Sequence, residues 1–474
     1  MPLTHRYAEN LSALASPVAP QVLSGQRLQL VNHALATSLR LPESWWQQNH
    51  ITEQLSCPAS VLSAGAVAQK YGGHQFGQWN PYLGDGRGLL LGEATDKNGH
   101  SFDLHLKGAG QTPYSRGADG RAVLRSTIRE YLGSEALHAL GIASSRSLCL
   151  FSSDETVFRE QPEPGAMMIR TSPSHIRFGH FEFYYHNGEK DKLDALFQYT
   201  LANHFPECLD AENPHLALLN TIVLRTARLI ALWQNHGFVH GVMNTDNMSI
   251  HGITFDYGPY AFMESFKSNA VFNHSDHQGR YAFNQQPSIG LWNLNVLAHC
   301  FSDYCSVDDI RAALMKYETT FIGQFQHVMA ARMGLPADAP GTQDVVNQWL
   351  ELIEKEHADY TSSFRKLALT NYAENKSSLR DNFIDRQQFD SWWQQYQQHR
   401  DNSVSQDTLL NLNPVVVPRT HLLQHAIEQA QAGDFSECEA LLQAVTSPFD
   451  TCWDNHKYAK PGEANQGGML SCSS

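Results

Sequence analysis

Between Val61 and Tyr185 the apolar positions recur at every second residue in short runs punctuated by glycine, the period of half-buried strands. From Asp191 to about Gln398 they recur at three- and four-residue spacing, the period of amphipathic helices. This contrast predicts an α+β chain with a β-rich lobe followed by a helical one. A polar stretch, His399–Thr408, precedes two further helical patterns, Leu422–Gln431 and Ser436–Val445, broken at Gly433-Asp434. The expected organisation is an N-terminal extension (1–60), a β-rich N-lobe (61–185), a helical C-lobe (186–400), and a C-terminal helical appendix with a flexible tail (401–474).

Within the first lobe, Gly84-Asp85-Gly86-Arg87-Gly88 leads into Leu89-Leu90-Leu91, then a turn at Asp96-Lys97-Asn98-Gly99, then the alternating run Ser101–Lys107. Phe102, Leu104 and Leu106 share one face of that second strand, which leaves Asp103, His105 and Lys107 on the other. Glycines at alternate positions let backbone N–H groups approach phosphate oxygens, and a lysine on the next strand supplies a point charge. A Gly-x-Gly-x-Gly turn is also a common plain connector, so the rest of the constellation has to decide. A helix is predicted from Arg121 to Leu140, with Leu124, Ile128, Tyr131, Leu132 and Leu137 on its apolar stripe and Gly141 as its stop. Glu130 lies off that stripe, where it either reaches a lysine on the sheet or stays solvated. Arg121, Arg125 and Arg129 form either a basic face or a set of surface ion pairs. Glycine turn, Lys107 and Glu130 follow the order in which protein kinases assemble the ion pair that orients ATP phosphates.

A helix from Thr221 to His236 stops at Gly237, and His240-Gly241-Val242-Met243-Asn244-Thr245-Asp246-Asn247 follows. Met248–Ile250 and Ile253–Phe255 read as a hairpin about His251-Gly252, carrying Asn247 at one end and Asp256 of Asp256-Tyr257-Gly258 at the other. An amide oxygen and a carboxylate brought together this way are the hard ligands Mg²⁺ or Mn²⁺ prefers while it holds nucleotide phosphates. The kinase counterparts are the catalytic-loop Asn and the Asp of Asp-Phe-Gly. The kinase base, five residues before that Asn, is here Val242, which accepts no proton. Asp246 is the nearest carboxylate, and is either a proton acceptor or a turn cap. Arg170 and Arg177, flanking Ser172-Pro173-Ser174, either converge on an anion or pair at the surface. Asn273-His274-Ser275-Asp276-His277-Gln278-Gly279-Arg280 matches no zinc spacing and is expected as a hydrogen-bonded loop near the site.

Composition narrows the partners. With 34 Lys and Arg against 48 Asp and Glu, the net charge of −14 disfavours nucleic acid and anionic lipid. The apolar stretches, Leu229–Trp233 among them, read as too short for a membrane span, and Met-Pro-Leu-Thr-His-Arg lacks the features of a secretory signal. A cytoplasmic location is expected. The eight cysteines, at 57, 149, 208, 300, 305, 438, 452 and 472, form no Cys-x-x-Cys pair; Cys472, in a Gly-rich tail, is a redox handle or simply exposed.

Tyr-Gly-Gly-His-Gln-Phe-Gly from Tyr71, Gly-Asp-Gly-Arg-Gly from Gly84, Leu-Lys-Gly-Ala-Gly-Gln-Thr-Pro-Tyr-Ser-Arg from Leu106, His-Gly-Val-Met-Asn-Thr-Asp-Asn from His240, Asn-His-Ser-Asp-His-Gln-Gly-Arg-Tyr from Asn273 and the terminal Ser-Cys-Ser-Ser together resemble the selenoprotein O family, in its bacterial form, over nearly the whole chain. The resemblance implies a bilobal protein-kinase-like (pseudokinase) fold that binds ATP in a flipped orientation and transfers AMP to Ser, Thr or Tyr hydroxyls of other proteins. It implies that Lys107, Arg170 and Arg177 hold the polyphosphate, that Gly84, Gly86, Arg87, Asp119 and Gly120 line the nucleotide site, and that Glu130 pairs with Lys107. Asn247 and Asp256 would bind Mg²⁺ or Mn²⁺, and Asp246 would accept the proton. UTP stays open as a donor. Family members that regulate themselves by a disulfide pair the C-terminal cysteine with one just before the Asn-His-Ser-Asp motif. Phe272 stands there in this chain, so the switch is expected to be weakened or to use Cys300 or Cys305. Two other functions fit the same residues: a divergent kinase for a protein or small molecule, and a nucleotide-binding scaffold without turnover.

Overall fold

The computed structural model describes residues 3–47, 50–370, 377–462 and 470. It is a mixed helix-and-sheet structure, as the two periodicities predict. An eight-stranded antiparallel sheet runs in the order Ala15–Pro17, Val67–Gln69, Gly88–Thr95, Ser101–Lys107, Pro162–Ser172, Arg146–Phe158, Arg27–Val31, and Ala122–Val123 pairs with Pro162–Ser172 beside this path. The first 60 residues thus supply both outer strands. They also cover one face of the sheet, where Leu23, Trp45, Ile51 and Leu55 share a core with Leu89, Leu91, Leu104, Leu106, Met167 and Ile169.

The other face carries Lys107 opposite Met168, and His105 opposite Arg170. Against it lies the helix Leu124–Ala139, ended by Gly141 at φ +77°, a left-handed position that favours glycine. Leu132 and Leu137 of this helix also share a core with Leu423, Leu441 and Ala444 from the helices Thr420–Gln431 and Ser436–Thr446. The segment expected as an appendix therefore completes the packing around the glutamate helix.

The helix predicted from Thr221 begins about two turns earlier and spans Pro214–Asn235, with Asn213 capping it. By length and mean hydropathy (1.5) it is apolar enough to cross a bilayer, contrary to the expectation from short apolar runs. Its buried residues Leu218, Ile222, Ile230 and Trp233 form part of the main core. A third core, rich in aromatic rings, gathers Trp349, Phe364, Trp392 and Trp393.

The predicted hairpin at 248–255 is corrected. The turn at His251-Gly252 forms, but the flanking segments pair elsewhere: Ser249 with Arg177 and Thr254 with Ser144. Phe178 N–H donates to Met248 O and Thr254 N–H to Ala143 O. The β-branched pattern was real, yet backbone groups of neighbouring segments satisfy it better than the short hairpin would.

Candidate active site

A cavity of about 730 Å³ opens between the sheet and the loops that follow the helix Pro214–Asn235. Gly84, Gly86, Arg87, Lys107, Asp119, Gly120, Arg170, Arg177, Asp246, Asn247 and Asp256 all line it. Glu130 alone of the predicted residues does not; it is buried directly behind Lys107. Local chemistry explains the cradle. Gly120 has φ +70°, and a Cβ there would meet Gly110 O at 2.0 Å, so only glycine permits this approach. The Asp119 carboxylate at the mouth accepts two hydrogen bonds from Arg159, at 2.7 and 2.9 Å.

The charged side chains form one continuous chain. Lys107 Nζ pairs with Glu130 Oε2, and Glu130 Oε1 accepts from Arg170 Nη1 at 2.9 Å. Arg170 Nη1 also donates to Asp256 Oδ1 at 2.5 Å, while Arg177 Nη1 donates to Asp256 Oδ2 at 2.5 Å and to Asp246 O at 3.0 Å. The arginine pair therefore converges on a carboxylate within the site, which decides between the two readings left open by spacing. Arg177 is also sandwiched between the rings of Tyr71 and Phe255, at 4.4 and 4.7 Å. Burial opposes ionisation of Glu130 and Asp256, but the neighbouring cations prevail, holding Glu130 below and Asp256 well below the usual carboxylate range. Asp256 itself sits at φ +60°, a left-handed conformation that Asp tolerates better than most residues.

Asp246 differs from both. Burial pushes its carboxyl up to about 7, against the opposing pull of Arg177. Its Oδ1 is buried with no hydrogen-bond partner among the described residues. Next to it, Asn247 donates Nδ2 to Val242 O at 3.0 Å, which leaves its amide oxygen as the free end. Tyr257 hydrogen-bonds Ser144 through its hydroxyl.

Two of the three helix arginines make ion pairs, Arg121 with Glu155 and Arg125 with the buried Glu163. Arg129 is buried and donates to Tyr260 O, tying the helix to the segment after Asp256. The Asn273 motif is a hydrogen-bonded loop beside the site: Asn273 Nδ2 donates to Gly241 O, and Asp276 accepts from the Arg280 and Tyr281 amides. Leu470 pairs with this loop through Phe272 O and His274 N–H. Cys472 lies outside the described residues, and Cys300 and Cys305 are both free thiols.

Three features escaped sequence reasoning. A buried polar layer supports the lysine strand: His105 Nε2 lies 3.4 Å from Asp85 Oδ2, His105 stacks on His175 at 4.4 Å, and Asp103 accepts from His175 N–H at 2.7 Å. The strand's alternation already placed Asp103 and His105 on the Lys107 face, and that was the available signal. Second, Tyr281 OH donates to Asn244 Oδ1 at 2.6 Å. Third, the Tyr71-Gly-Gly-His turn braces the loop of Asp246: His74 N–H donates to Thr245 Oγ1 at 2.7 Å, and a Cβ on Gly73 would come within 2.9 Å of Asp246.

Residues 2–446 match the family model described as Protein adenylyltransferase SelO. Among curated relatives, the chain is 53% identical to the protein nucleotidyltransferase YdiU of Pseudoalteromonas atlantica, with all of both chains covered. It is 44% identical to the YdiU proteins of Erwinia tasmaniensis, again over all of both chains, and of Pseudomonas fluorescens, over 99% of this chain and 98% of that one. With a family match over most of its length and relatives this similar from end to end, the chain belongs to the family of protein adenylyltransferase SelO.

Proposed function

We propose that this chain is a protein adenylyltransferase of kinase-like bilobal build, which binds ATP in the cavity and transfers AMP to Ser, Thr or Tyr hydroxyls of other proteins. The observation that carries the reading is the chain of ion pairs Lys107–Glu130–Arg170–Asp256–Arg177 along one wall, ending beside a carboxyl poised near neutrality. Lys107, Arg170 and Arg177, with Arg87 as a fourth cation lining the cavity, hold the polyphosphate and neutralise charge on the departing pyrophosphate. Glu130 keeps Lys107 and Arg170 in place for this task.

In the reaction the acceptor hydroxyl oxygen bonds to the α-phosphorus and the bond from that phosphorus to the bridging oxygen of pyrophosphate breaks. The hydroxyl proton passes to Asp246, whose raised pKa suits a general base working near pH 7. Val242 offers only its backbone carbonyl, which Asn247 already occupies. Mg²⁺ or Mn²⁺ fits the donor set beside Asp246: the Asn247 amide oxygen and the Asp256 carboxylate are hard oxygens of residues lining one cavity. When bound, the ion would draw charge from the phosphate oxygens. The seven described cysteines, all free, suit the reducing cytoplasm in which we place the protein.

The test uses purified protein with Mg²⁺ or Mn²⁺ and ATP labelled separately at the α- and γ-phosphates, beside Asp256→Ala. Protein-bound label from the α position alone, absent in the variant, is the expected result. Label from the γ position alone makes the protein a kinase, and ATP binding without either label makes it a scaffold.

A further inference from the structure

A second cluster of metal-ligating side chains lies behind the loop of Asp246. Glu182 and His186 stand one turn apart on the helix Phe178–His186, and His74 faces them from the strand Gly73–Gln75. At this spacing, i and i+4, two side chains share one helix face. His74 Nδ1 lies 2.6 Å from Glu182 Oε2, and one ligand atom from each of the three residues lies within 4.8 Å of the others. None of the three lines the nucleotide cavity.

The hydrogen bond does not account for the whole cluster. The Glu182 side chain has 0% exposure, yet its Oε1 has no hydrogen-bond partner among the described residues. A fully buried carboxylate oxygen without a partner is costly, and a bound cation removes the cost. Trp79 closes one side, its ring 5.3 Å from His74 and 4.4 Å from His186, and Trp292 lies 5.5 Å from His74. His186 is exposed, so the cluster has an entry path.

We propose that His74, Glu182 and His186 form a second cation site, which takes a zinc-class divalent ion. Two imidazoles and one carboxylate are ligands that Zn²⁺ accepts, whereas the all-oxygen set at Asn247 and Asp256 suits Mg²⁺ or Mn²⁺. Metal–ligand bonds of about 2.0–2.2 Å place tetrahedral ligand atoms roughly 3.3–3.6 Å apart. The exposed His186 has the freedom to close the wider separations, while the 2.6 Å contact of His74 Nδ1 with Glu182 Oε2 opens as the ion takes the place of the shared proton. Bound there, the ion fastens the helix that follows Arg177 to the turn that braces Thr245 and Asp246. It leaves a fourth coordination position open to solvent.

Untagged protein is stripped with EDTA and titrated with Zn²⁺ in excess Mg²⁺, and bound zinc is counted by elemental analysis. The comparison is between wild type, Asp256→Asn, His186→Ala and His74→Ala. Wild type and Asp256→Asn are expected to hold one more equivalent than either histidine variant, with affinity at least tenfold higher. Co²⁺ in the same site is expected to give the visible bands of four-coordination, lost in His186→Ala. His186 is exposed at a helix end, so that variant should melt with wild type when metal is absent, and Zn²⁺ should raise the melting temperature of wild type and of Asp256→Asn but not of His186→Ala. Equal zinc content in wild type and both histidine variants would overturn the proposal. So would loss of the extra equivalent in Asp256→Asn alone, or a six-coordinate Co²⁺ spectrum.

Discussion

Glu130 and Arg170 share a buried contact, Oε1 to Nη1 at 2.9 Å, while the other carboxylate oxygen holds Lys107. One carboxylate therefore holds two buried cations: it is the ion-pair partner of Lys107, while Arg170 has Asp256 as well. Glu130→Ala is expected to destabilise the fold by about 3–5 kcal/mol, and Glu130→Gln by less, because the amide keeps the shape and an acceptor. Urea unfolding measures the order. AMP transfer should fall at least tenfold in both, through misplaced phosphate-binding groups; a Glu130→Ala protein as stable and active as wild type would remove the pair from the account.

Asp246 links stability to pH in the direction opposite to an ordinary ion pair. Its folded-state value of about 7 exceeds the unfolded one of about 3.9, so the folded chain keeps a proton that the unfolded chain has released. Stability from this group is therefore full below pH 4 and is lost as pH rises to about 7, by up to roughly 4 kcal/mol for the metal-free protein. Asp246→Asn should melt with wild type at pH 4 and above it at pH 8, while AMP transfer falls about a hundredfold or more. Calorimetry at the two pH values, with metal removed, checks the sign.

Asp256 behaves the other way. Held well below the carboxylate range by Arg170 and Arg177, it contributes stability above about pH 4 that is lost on acidification. Asp256→Ala leaves two buried guanidiniums facing each other, at an expected cost of about 3–5 kcal/mol. The variant should carry no label from α-labelled ATP. Its acid denaturation profile should be flatter than that of wild type, as followed by circular dichroism.

Leu441, fully buried in the second of the C-terminal helices, shares a core with Leu132 and Leu137 of the glutamate helix. Leu441→Ala is expected to cost about 2–5 kcal/mol, and a chain ended before Thr420 is expected to be insoluble on expression. Soluble, folded protein from the shortened chain would show that these helices are dispensable.

Much of this was legible in the chain itself. Alternation in Ser101–Lys107 and the 3.6-residue stripe from Leu124 to Leu137 fix the side on which Lys107 and Glu130 stand, because periodicity is a local property. The contact of Arg170 and Arg177 with Asp256 was not legible from spacing, since it depends on where two distant segments settle. The misread hairpin at 248–255 has the same cause: Ser249 and Thr254 have strand-like neighbours, but their backbone partners, Arg177 and Ser144, lie far away in sequence. The sheet's outer strands were missed in the first 60 residues because three- and five-residue strands are too short to display a period.

Those outer strands bear on how the protein is made. Arg27 pairs with Ser152 and Ala15 with Gln69, and the glutamate helix gains part of its core only from Leu423 and Leu441. An emerging chain cannot finish its first lobe when that lobe leaves the ribosome, because residues between Thr420 and Thr446, synthesised long after it, complete the packing of the helix at its centre. Closure between such remote segments carries a large loop entropy and slows folding. The nascent protein must therefore keep one face of the glutamate helix uncovered until the helices Thr420–Gln431 and Ser436–Thr446 have emerged, and chaperone demand should be concentrated in that interval.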